Sequence, residues 1–138
     1  MKQLGRRHTL TDFHNTGVAD RIVDVVMFNE SIGYGNCKNL MVESARMLKT
    51  GGMMLLKDFS AKTEISNSVD LAGWDYKVYK TSKIIRYAEN AGLKLSWFFH
   101  PNGKEGRNMK FFEGSKLKKW HGTISYPVSS IFAKFIKV

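Results

Sequence analysis

Two periodicities alternate along the chain. Residues 21–29, RIVDVVMFN, are β-branched and apolar around a single Asp24, the pattern of a central parallel strand. The next stretch, NCKNLMVESARMLKTGG, switches to a helical period. Leu40, Met41, Ser44, Met47 and Leu48 share one face, while Lys38, Glu43 and Lys49 lie elsewhere. Asn36 suits the N-cap, Arg46 and Lys49 suit the negative C-terminal end, and Gly51 suits the left-handed closing position. MMLLKDF then predicts a second buried strand, stopping at Lys57-Asp58-Phe59-Ser60. TSKIIRYAENAG predicts a second helix, capped by Thr81 or Ser82 and ended by Gly92. LKLSWFFH and SSIFAKFIKV predict the last strands, and RHTLTDF alternates weakly enough for a short first strand at about 7–12.

Two long connections punctuate this order. The polar, aromatic-dotted segment 60–79 is long for a structureless loop, so it is either functional or holds a helical turn. Residues 101–129 form a basic excursion between the last two strands. The element order predicts one α/β domain over 1–138, its sheet mostly parallel with a C-terminal antiparallel pair.

Composition changes the picture in one respect. Hydrophobic content of 43% and 138 residues suffice for a single globular core, but 22 Lys and Arg against 12 Asp and Glu leave a net charge of +10. Such a balance favours polyanions, or it is a generally basic solvated surface. One cysteine, Cys37, excludes an internal disulfide framework and a cysteine-rich zinc site. The first ten residues have no apolar secretory core, and no apolar run reaches the length of about 18 residues that spans a bilayer. A cytoplasmic protein without a membrane span is expected.

In open α/β sheets, ligands bind beyond the carboxyl ends of the strands. Asp12-Phe13, Asn29-Glu30-Ser31 and Asp58-Phe59-Ser60 each follow an apolar stretch, which predicts that they meet on one edge as a site.

These residues carry a family resemblance. DFHNTGVADRIVDVVMFNESIGYGN, LMVESARMLKTGGMMLLKDFS and YAENAGLKL resemble the C-terminal two thirds of a class I, Rossmann-like S-adenosylmethionine-dependent methyltransferase, with a three-layer sheet. The similar group includes ubiquinone, menaquinone, sterol and phosphoethanolamine methyltransferases. The most specific signal is Asp24-Val25-Val26, then a helix ending Arg46-Met47-Leu48-Lys49-Thr50-Gly51-Gly52, with Thr50 where a proline usually stands. The resemblance implies S-adenosyl-L-methionine as cofactor. It implies that Asp12 meets the adenine amino group, that Phe13 packs on the ring, and that Phe28, Asn29 and Glu30 lie along the cofactor. Ser31 and Tyr34 would begin the substrate side, with Trp74, Tyr76 and Tyr79 on a segment that closes over substrate.

The family's opening strand and glycine-rich turn have no counterpart here. Gly33-Tyr34-Gly35 follows the wrong strand, lacks a third glycine and reads as a turn. In the family's usual strand order, 3-2-1-4-5-7-6, that loss exposes the edge of strand 21–29. An exposed apolar edge invites a partner chain or a copy of itself. Half of a split enzyme, a homo-oligomer and a non-catalytic relic are the alternatives.

Methyl transfer is an in-line displacement that needs alignment, water exclusion and, for some acceptors, a base. Glu30, Tyr34, His14 and Asp58 are the candidate bases. Asn29-Glu30-Ser31-Ile32 is not the Asn/Asp-Pro-Pro-aromatic segment of adenine-amino enzymes, Cys37 does not follow proline, and no metal-ligand set stands out. A small-molecule acceptor is therefore expected. The excursion keeps nucleic acid open, because Phe111, Phe112 and Trp120 interleave with six Lys and Arg between 104 and 120.

Overall fold

The computed structural model describes residues 11–61, 69–71, 74–99, 112–113 and 127–138. Its elements are β1 (Val23–Asn29), a 3-10 turn (Ile32–Tyr34), α1 (Cys37–Met47), β2 (Leu48–Ala61), β3 (Val69–Leu71), β4 (Trp74–Tyr76), β5 (Tyr79–Lys80), α2 (Thr81–Asn90), β6 (Leu93–Phe99), β7 (Phe112–Glu113) and β8 (Pro127–Lys137). The main sheet runs β1-β2-β8-β6, with β5 on the end of β2 and β7 on β8. β1 and β5 lie parallel to β2, whereas β8 is antiparallel to both β2 and β6. The sheet is therefore mixed, and its order reproduces the 4-5-7-6 end of the family pattern.

One-sided packing organises the core. Met54 and Leu56 of β2 face Phe135 and Ala133 of β8 and bury under Leu40, Met41, Ala45, Ile84 and Ala88 of the helices. α1 and α2 pack against one another on that same face. Two layers result, and among the described residues no helix covers the opposite face, so the expected third layer is not seen there.

Several local expectations need correction. β2 begins at Leu48 rather than at Met53, and it runs to Ala61, just past the expected stop at 57–60, because β8 pairs with it through Val128. α1 ends at Met47 rather than at the glycines. Gly51, at φ +80°, instead serves a bulge in which the four residues 49–52 of β2 stand opposite Asp24 alone in β1. α2 begins at Thr81 with no side-chain cap, while Gly92 closes it at φ +87° as expected. Asp12 pairs with Asn15 in a tight turn rather than ending a strand, and residues 7–10 lie outside the described residues. No helix among the described residues is long and apolar enough to cross a membrane.

Candidate functional site

The loop from Glu30 to Asn36, between β1 and α1, is the centre of the site. Glu30 leaves β1 with φ +52°, a left-handed conformation that disfavours a residue with a Cβ. Its N–H donates to the Lys57 carbonyl at 2.7 Å, and its half-exposed carboxylate pairs with Lys57 Nζ at 3.0 Å. The next two N–H groups, of Ser31 and Ile32, donate to Asp58 Oδ2 at 2.8 and 2.9 Å. Phe59 N–H and the Tyr76 hydroxyl donate to Asp58 Oδ1. Asp58 is almost wholly buried, and burial pushes its carboxyl up against the pull of these donors. It acts as the staple that fixes the loop, because every donor around it is already committed.

Tyr76 is buried beside it, its phenol pushed up first by burial and then by the neighbouring Asp58 charge. Its ring explains Gly33, where an added Cβ would clash with the Tyr76 ring. Tyr34 stands edge-on to that ring at 4.7 Å and is 47% exposed. The Tyr79 hydroxyl donates to the Gly35 carbonyl at 2.9 Å and accepts from Cys37 N–H at 3.2 Å. Asn36 caps α1 as expected, its Oδ1 accepting from Asn39 N–H at 3.1 Å.

The other flank is the turn at 12–15. His14 Nε2 accepts from Asn36 N–H at 2.8 Å, so its Nδ1 carries the proton and donates to Asp12 Oδ1 at 2.9 Å. Both ring nitrogens are thereby engaged, and the turn is clamped to the start of α1. Gly35 permits this approach, since a Cβ there would meet His14 Nε2 at 2.6 Å and Phe13 Cζ at 2.8 Å. The Asp12 carboxylate accepts from the His14 N–H and ring and is held below the usual carboxylate range by those bonds.

Asp12, Glu30 and Asp58 thus surround one loop, and none of the three lines the cleft beside it. A cleft of about 420 Å³ opens beside the loop, lined by His14, Gly33, Tyr34, Gly35, Asn36, Asn39 and Lys77. Of the expected residues, His14 and Tyr34 reach it. Asn29 and Glu30 are exposed at the tip of β1, and Ser31 contributes its backbone. Phe28 is a core residue whose side chain lies under the helices. Tyr76 is likewise interior, while Trp74 pairs with Leu71 across β3 and β4. Asn39 and Lys77 carried no signal in the sequence; Asn36 was legible only as a cap. No group of three or more His, Cys, Asp or Glu among the described residues could hold a metal. Cys37 is buried, its thiol pushed up to about 12 by burial and the Asp58 charge.

No protein-family profile matches the sequence, and no curated relative does. Solved structures do match. Geranyl diphosphate C-methyltransferase from Streptomyces coelicolor A3(2), in complex with S-adenosyl-L-homocysteine, superposes with TM-score 0.72 at 13% identity, over 94% of this chain and 53% of its own. A candidate methyltransferase from Bacillus halodurans C-125 gives 0.65 at 20% identity, over 92% and 69%. The 4+2 cyclase SpnF gives 0.67 at 12% identity, over 94% and 54%. The chain therefore has the fold of class I S-adenosylmethionine-dependent methyltransferases. It spans about half the length of the geranyl diphosphate methyltransferases it matches.

Proposed function

We propose that this chain takes part in S-adenosylmethionine-dependent methyl transfer to a small-molecule acceptor in the cytoplasm, its cofactor site completed by a second chain or by self-association. The observation that carries the reading is the fold match at TM-score 0.72 over 94% of the chain, with the strained Glu30 at the tip of β1. The donor set fits the nucleoside end of the cofactor: an exposed Asp12 carboxylate, a half-buried Phe13 ring beside it, and exposed Asn29 and Glu30. When bound, the cofactor supplies a methyl group on a sulfonium. In this reading Glu30 holds a proton taken from the acceptor, and Tyr34, at the mouth of the cleft, orients it. His14 and Asp58 position the loop.

Ultraviolet crosslinking of methyl-labelled S-adenosylmethionine at millimolar concentration tests the assignment. Label is expected on peptides spanning 12–13 or 28–34, competed by S-adenosylhomocysteine. Label spread over the chain and indifferent to competitor overturns it. Calorimetric titration of the purified chain tests the need for completion. Low-micromolar binding by the chain alone removes that need.

A non-catalytic, methyltransferase-derived binding subunit is the second reading, favoured by the full engagement of His14 and Asp58. The cyclase among the matching structures underlines that the fold alone does not fix a reaction. A nucleic-acid methyltransferase component rests on 104–120, of which only 112–113 lie within the described residues.

A further inference from the structure

The cleft beside the loop has a sign as well as a shape. Its volume of about 420 Å³ suits a small molecule rather than a length of polymer. Three segments of the chain wall it: the turn with His14, the stretch from Gly33 to Asn39, and Lys77 between β4 and β5. Among the described residues no Asp or Glu lines it. His14 Nε2 accepts from Asn36 N–H and so bears no proton, while Asp12 bonds the other ring nitrogen from outside the cleft. Lys77 therefore sets the charge of the lining.

The backbone presents this lysine outward. Tyr76 and Val78 on either side of it are buried, and its own N–H donates to the Gly33 carbonyl at 2.8 Å. That alternation anchors the main chain and leaves the lysine side chain exposed. Lys49 and Lys57 spend their charges on Asp24 and Glu30, at 2.8 and 3.0 Å. Lys77 has no such carboxylate among the described residues. The exposed Asn39 carboxamide likewise makes no hydrogen bond among them, only its backbone N–H being used, by Asn36. An ammonium and an amide on two walls of one cleft are donors that an oxyanion accepts from together. The exposed Tyr34 ring, held edge-on to Tyr76, gives the same cleft an apolar surface.

We propose that this cleft takes an acceptor bearing a carboxylate or phosphate, its oxyanion held by Lys77 and Asn39 and its apolar body against Tyr34. This rests on the reading above for the ligand being a methyl acceptor, and deepens it by naming the ligand's charge. Anion binding is measured without cofactor, so its failure leaves the crosslinking result standing, and failed crosslinking leaves the binding standing.

The probes are benzoate and phenyl phosphate, with benzyl alcohol and benzylamine as their neutral and cationic counterparts. Amide NMR at low salt follows each titration of the intact, isotope-labelled chain. At least one anion is expected to shift the amides of 33–36, 39 and 77, binding roughly threefold to fivefold tighter than either counterpart. The tighter of the two anions names the group. Lys77→Gln should reduce its binding to the level of benzyl alcohol, with the hydrogen bond to Gly33 kept because it comes from the backbone. Circular dichroism verifies that the variant folds. Lys49→Gln, outside the cleft, should bind as the wild type does. Equal binding of anions and counterparts, or no binding at all, overturns the proposal. So does anion binding indifferent to Lys77→Gln, an equal loss in Lys49→Gln, or shifts confined to other lysines.

Discussion

Asp58 gathers donors from three segments of the chain and is itself almost wholly buried. Truncation to Ala orphans the Tyr76 hydroxyl and the Ser31 and Ile32 N–H groups in the interior. The expected loss is about 3 kcal/mol or more, read as a shift in urea midpoint, with Tyr76→Phe costing about 2 kcal/mol. Equal, negligible losses would mean that the loop does not depend on the staple. Glu43 works in the opposite electrostatic sense. It accepts from Thr16 N–H and Oγ1 at 2.8 and 2.7 Å and forks with Arg46, whose other nitrogen reaches the Val18 carbonyl and Asp20 at 2.6 Å. The Arg46 hydrogen bonds, first among the causes, draw its carboxyl from 4.5 down to about 2. A lowered folded-state value means stability present above pH 4.5 and lost as pH falls toward 2. Thermal melts of the wild type and Glu43→Gln should therefore differ at neutral pH and converge across that window. Glu43 read as a polar-face residue in the helical period; only the long-range Thr16 partner explains why it is buried.

At the scale of elements, the loop after β1 carries a conformational cost that its sequence does not advertise. A left-handed residue bearing a Cβ loses roughly 1–2 kcal/mol, and the Glu30–Lys57 pair, being half exposed, returns about 1 kcal/mol at most. Comparing two variants that both lack the carboxylate isolates the backbone. Glu30→Gly is expected to be about 1 kcal/mol more stable than Glu30→Ala in denaturant unfolding, where a glycine in a helix or strand would be less stable. Helix positions and the core strands were legible because period and caps are local properties: Asn36, Gly92 and the face of Leu40 and Met41 follow from them directly. Strand ends were not, since the extent of β2 is set by pairing with β8, far away in sequence. The site divides the same way. That Glu30 and Tyr34 lie on the loop after β1 was legible from their place after an apolar strand. The engagement of His14 by Asn36 and of Asp58 by Tyr76 depends on distant partners.

For the whole molecule, pairing predicts where stability resides. β2 and β8 are each bonded on both sides, whereas β1 pairs only with β2 among the described residues and ends the sheet with Val25 and Met27 exposed. Amides locked between two strands exchange only through large openings, while those on an outer edge need only local fluctuation. Hydrogen exchange should therefore be slowest over 54–58 and 131–135, and fastest in β1 at the amides that point away from β2. Slow exchange at those outward amides in the isolated chain would mean that some strand already covers the edge. The proposed completion of the site by a second chain or by self-association at this edge would then be overturned. Fast exchange that slows when a partner is added instead ties the edge, and the loop that leaves it at Glu30, to assembly.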